Sequence, residues 1–418
     1  MIEQDKTVHT FTLNNGLKII FRHHPTSRSM TAVMHYKVGS SYPEKRELAS
    51  VVAMALYDNK GNPWNDEHPD NWVHVTDLLH DRLQCTLSGH PDKFERALQY
   101  YAHELTTAPL FPHEMIQEVY VKQPPRAERP INNYHQHYRY IWDITFPGSN
   151  YSADHLHNPC AATTITEEDI QDFHQRWIAP NNAVLCIDAD MSIENVKALV
   201  NNYLGDIPAR ALPRRPVIGV ASAPGERRLI KHGPTDFPTV QMNFNLPILT
   251  DDTLKLSSAL SAIVTLINSL NRDIPQELTW LTEHQNQIRQ LTSYPVHASL
   301  MNSRAGAALI IKVAVEKQSG HSLNTLEDNI WALIESLKTH LLPSSMIEDS
   351  VNSTLMESQT PYGTTWATQA GANAILDRAA TISEDDRQLM QSLTPEEVHE
   401  AAMTYLVRNR VSVLHLLS

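Results

Sequence analysis

The 22 histidines are the side chains of this sequence best suited to bind a metal, and their spacing limits what they can do. A hydrolytic zinc site on one helix needs two imidazoles three or four residues apart, with a Glu between them to activate the bound water. No two histidines here have that spacing, so neither H-x-x-E-H nor H-E-x-x-H occurs. Two H-x-H pairs, His135/His137 and His155/His157, and the series His68, His74, His80 remain. On a strand an H-x-H pair shares one face and suits a metal. Without convergent carboxylates, surface or hydrogen-bonded histidines are the plainer reading. Cys85, Cys160 and Cys186 are far apart and form no C-x-x-C, so they read as buried free thiols rather than a disulfide framework or a zinc site. No G-x-S-x-G, Walker A or G-x-G-x-x-G is present, and 13 glycines leave little room for phosphate-cradling loops.

The elements that would position such groups belong to an ordinary globular chain. At 418 residues, 41% apolar and 19% charged, it is long enough for two domains with separate cores. A net charge of −13 with no Lys/Arg block excludes phosphate-backbone binding as a first reading. No apolar run approaches the roughly 18 residues that span a bilayer. Met1–Lys6 has neither a basic n-region nor an apolar h-region, so the expected location is cytoplasmic, or periplasmic if a signal peptide has been removed.

The start reads as β: two alternating runs flank Asn15-Gly16, a dipeptide that signals a type I′ hairpin with both turn residues at positive φ. A second apolar run covers Met30 to Val38, and a helix pattern covers Leu48 to Tyr57. Asn71 to Ser88 is a strand candidate. Helical spacing covers 93–105 and 113–122, the latter stopping before Pro124-Pro125. Thr166 and Asp169 form a capping box that opens a helix to Trp177. Pro180-Asn-Asn182 breaks it, a buried strand covers Ala183 to Ile187, and a helix from Ile193 to Leu204 is closed by Gly205.

The same order returns half a chain later. Thr394 opens a helix with Pro395 at its first position and Glu397 at its third, an Asn/Arg turn follows, and an apolar strand covers Val411 to Leu417. A repeated helix, turn and strand implies duplicated halves. Between them, 207–225 has Pro/Arg linker character, and Arg227 to His232 and Val240 to Leu246 restart a β pattern. The expected domains are 1–215 and 225–418.

With these motifs in order, the chain resembles the pitrilysin/insulysin family of H-x-x-E-H metallopeptidases. The resemblance rests on Leu13-Asn-Asn-Gly-Leu-Lys, Tyr36-Lys-Val-Gly-Ser-Ser41, Thr166-Glu-Glu-Asp-Ile, Ala179-Pro-Asn-Asn-Ala-Val and Leu204-Gly-Asp-Ile-Pro, and covers most of the chain. It implies an α+β fold of two similar halves, each an antiparallel sheet packed with helices. It also implies pairing into dimers around a peptide-binding chamber.

Carried over residue by residue, the family's first His falls on Ser50, its general-base Glu on Ala53, its second His on Met54 and its distal Glu ligand on Ile116. None of these makes the zinc site, so no cofactor is expected here and zinc is expected only in a partner chain. The family's substrate-binding Arg and Tyr fall near Arg289 and Tyr294; Tyr294 fits the pattern, while Arg289 requires a two-residue deletion and an ungapped match gives Gln287. A guanidinium suits a carbonyl or carboxylate oxygen, and a phenol can stabilise an oxyanion. Asn71 to Thr76 resembles the strand that pairs with an extended peptide by β-addition.

Three functions follow as expectations. The first is a non-catalytic subunit that supplies peptide binding to an H-x-x-E-H partner, a homodimer being the other pairing. The second is a peptide-binding or assembly scaffold without a proteolytic role. The third is an enzyme with relocated ligands such as His68 or His74.

Overall fold

The architecture comes from a computed structural model. It describes residues 7–25, 27–42, 45, 47–57, 73–111, 113–117, 134–149, 151, 159–214, 224–233, 237–274, 278–315, 322–360 and 362–417, without the side chains of 134–139 and 159–160. His68, Asn71, Trp72, residues 118–122, Pro124-Pro125, His155 and His157 lie outside it, as does the Cys160 side chain.

The chain divides into two compact units, and neither is a continuous half. Unit 1 takes 1–125, 157–217 and 358–381; unit 2 takes 126–156, 218–357 and 382–418. One crossover lies in the Pro/Arg linker. The others are exchanges: each half of the sequence gives the other unit one helical segment. No periodicity signals this, because a helix that packs in either unit needs the same apolar face.

Unit 1 is built on strands β1 (Val8–Thr12), β2 (Lys18–His23), β3 (Met30–Tyr36), β4 (Val73–Leu78), β5 (Leu83–Gly89) and β6 (Ala183–Ala189), in the order β1-β2-β6-β3-β5-β4. Its helices are α1 (Leu48–Tyr57), α2 (Phe94–Thr106), α3 (His113–Gln117), α5 (Pro159–Ala162), α6 (Glu167–Trp177), α7 (Ile193–Leu204) and the exchanged α12 (Gly363–Ile375). The exchanged α4 (Tyr134–Thr145) belongs to unit 2.

Alternation sorts the side chains of β2, β3 and β6 into two cores. Ile19, Phe21, Ala32, Met34, Leu185 and Ile187 face one way, into a core that also holds residues of α1, α2, α6 and α7. Ile20, Val33, Val184 and Cys186 face the other way, onto Trp366, Ala367, Ala370 and Ala374 of α12. Both faces being covered, β3 and β6 are buried at every position, which is why they read as continuous apolar runs. A Cβ at Gly371 would lie 2.0 Å from His35 Nε2, so α12 can approach β3 only with glycine there.

Unit 2 repeats the plan with strands β7 (Arg227–His232), β8 (Thr239–Leu246), β9 (His297–Ser303), β10 (Gly306–Ala314) and β11 (Val411–Leu417), ordered β7-β11-β8-β10-β9. Helices α8 (Leu254–Ser269), α9 (Thr279–Leu291), α10 (Leu323–Leu337), α11 (Ser344–Ser358), α13 (Glu384–Gln391) and α14 (Pro395–Tyr405) contribute to its larger core. The other face meets α4 through Ile141, Trp142 and Leu414. Polar side chains anchor that contact: Asn243 donates to Thr145 Oγ1 at 3.1 Å, Asn245 to Thr145 O at 2.8 Å and Ser412 to Ile144 O at 2.9 Å.

Several expectations are corrected. The sheets are mixed, not antiparallel: β2 runs parallel to β6, and β7 to β11. The last strand of each repeat inserts between two strands of opposite direction, so it must be parallel to one of them. Asn15 is not at positive φ; only Gly16 is, at 85°. The hairpin loop spans three residues, with Leu13 N donating to Leu17 O and Gly16 N to Leu13 O. The Asn15 amide turns inward and donates to Leu204 O and Ile207 O at 2.7 and 2.8 Å, capping the end of α7. The run from Asn71 to Ser88 contains two antiparallel strands, β4 and β5. Gly205 ends α7 with φ −66°, in right-handed rather than left-handed geometry. His135 and His137 fall in a helix, where a spacing of two no longer implies one face.

Candidate functional site

Helix α1 carries the three positions that the resemblance assigned to metal chemistry. Residues 50, 53 and 54 have the i, i+3, i+4 spacing of one helix face. Ser50 and Met54 are half-buried, Ala53 is buried, and Ala53, Met54 and Ile116 pack in one apolar core. Ile116, on α3, is 1% exposed. These residues offer neither imidazole nor carboxylate, and among the described residues no group of three His, Cys, Asp or Glu could hold a metal ion.

His74, on β4, points at the end of α1. Its Nε2 is 3.1 Å from Tyr100 Oη and 3.5 Å from Cys85 Sγ, and its ring lies 5.2 Å from that of Tyr57. The Cys85 thiol is completely buried, and desolvation pushes its pKa well above the usual thiol range. This is a protonated packing contact rather than an activated nucleophile.

In unit 2 the structure brings Arg289 and Tyr294 together. Both line a cavity of about 360 Å³ with Gln285, Ile288, Asn271 and Val296, among others. The ladder of contacts around it begins at the end of α8. Asn271 donates to Val296 O and accepts from Val296 N at 2.7 and 2.8 Å. Asn268 does the same for Ala298 at 2.9 and 2.8 Å. Two side-chain amides thus act as a partner strand for the start of β9 and fix the loop that carries Tyr294. Thr292 accepts from Tyr294 N at 2.9 Å and donates to Ala314 O at 2.6 Å. Tyr294 therefore stands in a loop ahead of β9, not in a strand, and its ring meets Phe237 edge-on at 5.2 Å.

Arg289 is on the last turn of α9 and is exposed; Gln287, two positions earlier, does not line the cavity. A two-residue step turns about 200° around a helix, so the two side chains leave α9 on opposite sides. The guanidinium makes long contacts from Nη2 to Leu270 O at 3.3 Å and Arg272 O at 3.4 Å. Gln285, one turn earlier, donates to the same two oxygens at 2.8 and 2.7 Å. The sequence reading passed over Gln285; its i, i+4 spacing from Arg289 was the available signal.

The strand singled out for β-addition is seen from Val73 onward. β4 is the outermost strand of its sheet among the described residues. Val73 and Val75 are exposed on one face, and His74 and Thr76 are turned to the other.

Residues 164–353 match the family model described as peptidase M16 inactive domain. No curated protein matches the sequence. The fold is similar to that of a protease from Helicobacter pylori, with a TM-score of 0.82 at 15% identity, covering 99% of this chain and 100% of that one. It is similar to the periplasmic protease PqqL from Escherichia coli, with a TM-score of 0.76 at 14% identity; all of this chain aligns with 48% of that one. A peptidase M16 inactive domain from Pseudomonas fluorescens aligns over 98% of this chain and 97% of its own, with a TM-score of 0.72 at 15% identity. At these identities the structural likeness establishes the fold. No helix among the described residues is long and apolar enough to cross a membrane.

Proposed function

We propose, on the premise that this chain belongs to the M16 (pitrilysin) peptidase family and carries its inactive-type domain, that it is the non-catalytic partner in a peptidase. Zinc and the general base come from an H-x-x-E-H chain, and this chain supplies peptide binding through Arg289 and Tyr294. One observation carries the reading: the helix positions that bear metal ligands in the family hold Ser50, Ala53 and Met54, the last two in an apolar core, while Arg289 and Tyr294 line one cavity. A cavity of this size, lined by apolar residues such as Ile288 and Val296 and by polar ones such as Asn271 and Gln285, suits a peptide side chain and its backbone. The outermost strand β4 is a second place where extended peptide can add.

The test is reconstitution with an H-x-x-E-H chain of similar length from the same source. Alone, the chain cleaves no peptide and retains no stoichiometric zinc. With the partner, peptide hydrolysis appears, and Tyr294→Phe lowers kcat by roughly 10²-fold, the order seen when an oxyanion donor is removed. Full activity and bound zinc in the isolated chain overturn the proposal.

A second reading, a scaffold with no proteolytic role, is favoured by the Arg289 contacts to Leu270 O and Arg272 O. On that reading Arg289 is a helix cap. Arg289→Ala then lowers thermal stability and leaves the activity of the pair unchanged.

A further inference from the structure

Two side chains on one face of α9 compete for the same two acceptors. Leu270 O and Arg272 O lie at and just beyond the C-terminal end of α8, where helix carbonyls lack intrahelical partners and the dipole is negative. Gln285 is buried, and its amide reaches both at 2.7–2.8 Å, good hydrogen-bond geometry. Arg289 is exposed and reaches the same oxygens only at 3.3–3.4 Å. The two carbonyls are therefore satisfied without the guanidinium. Arg289 rests on them and can turn away without leaving a buried acceptor orphaned, which would otherwise cost about 1–3 kcal/mol. Among the described residues that line the cavity it is the one that is charged.

Resting on the peptide-binding reading above, we infer that this cavity takes a free carboxylate, such as a peptide C-terminus, on Arg289, and that Gln285 is the positioning residue that leaves Arg289 available. A carboxylate accepts two parallel hydrogen bonds from a guanidinium, whereas a carbonyl or amide offers one oxygen. Tyr294, held edge-on against Phe237 at 5.2 Å, lines the same cavity as Arg289, so an apolar side chain next to the carboxylate is favoured.

The probes are hippurate and its neutral isostere hippuramide, titrated into the full chain by calorimetry or NMR. Wild type binds hippurate at least tenfold more tightly than hippuramide, and Arg289→Met removes the difference. Gln285→Leu recruits Arg289 to the two abandoned carbonyls. It weakens hippurate binding about tenfold while hippuramide binding is unchanged, whereas a merely structural role for Gln285 lowers both in proportion. Equal affinity for the two probes in wild type, or no saturation by hippurate at about 10 mM, overturns the inference. So does selectivity that survives Arg289→Met. The effect of Tyr294→Phe on the reconstituted pair is read separately, so the carboxylate inference can fail while the partner role stands.

Discussion

Single buried groups set how this protein responds to pH. Glu104, on α2, is 1% exposed, and among the described residues no ion pair reaches it. Burial raises its pKa to about 8, and the Tyr36 phenol beside it offsets little of that. The folded state thus holds a proton that the unfolded chain releases near the usual glutamic acid value. Stability associated with Glu104 is present below about pH 4.5 and is lost as pH rises toward 8. Glu104→Gln is expected to flatten the urea-unfolding free energy across that window, where wild type falls by an amount of the order of a few kcal/mol. An unchanged slope in the variant refutes this. The acid limb has other owners. Burial and the nearby Arg82 charge lower the His35 pKa to about 3, and burial lowers that of His174 to about 4. Both are neutral when folded, so their contribution is lost as pH falls below the usual histidine value. None of these residues was singled out from the sequence, because a lone polar residue in an apolar run does not reveal what surrounds it.

At the scale of elements the sequence was most legible where local chemistry closes on itself. Both capping boxes are present: Thr166 accepts from Asp169 N, and Thr394 accepts from Glu397 N at 3.3 Å while its own N donates to Glu397 Oε2 at 3.0 Å. Helix α1 has the bounds read from apolar spacing. Thr394→Ala removes one cap acceptor and is expected to cost about 1 kcal/mol, with Thr394→Ser retaining most of it; urea unfolding of the two variants checks this. Where an element answers to something outside its own run, the reading slipped. Asn15 was assigned a turn conformation on type alone, but its amide is held by Leu204 O and Ile207 O, almost 200 residues away. Arg289 was in register only by allowing a gap, and its place along the cavity that Gln287 does not line follows from the turn of α9 and not from local spacing.

At the scale of the molecule the exchange of α4 and α12 is the feature with the widest consequence. Unit 1 completes its second core only with Trp366, Ala367, Ala370 and Ala374. Arg22, fully buried, forms an ion pair with Asp188, donates to Thr360 O at 2.8 Å and lies 4.6 Å from the Trp366 ring centroid. A fragment of residues 1–215 exposes Ile20, Val33, Val184 and Cys186 and leaves that buried charge pair without its cover, a loss of the order of several kcal/mol. It is expected to lack dispersed amide resonances by NMR and to regain them when a 358–381 peptide is added. A well-dispersed spectrum for the fragment alone contradicts the exchange as a folding requirement.

The sequence by itself determined the repeated α+β plan, the capped helices and the side chains that α1 carries at Ser50, Ala53 and Met54. Those follow from residue types at fixed local spacing, and no tertiary contact can give Ser50, Ala53 and Met54 an imidazole or a carboxylate. Tertiary structure decided the mixed sheets, the helix each half gives to the other, the shared cavity of Arg289 and Tyr294, and the carbonyls that Gln285 reaches. These depend on which chain segments cover which sheet face. A sheet face or a helix C-terminus accepts whatever complementary surface reaches it, so its partner is fixed by packing over the whole molecule and not by its own residues.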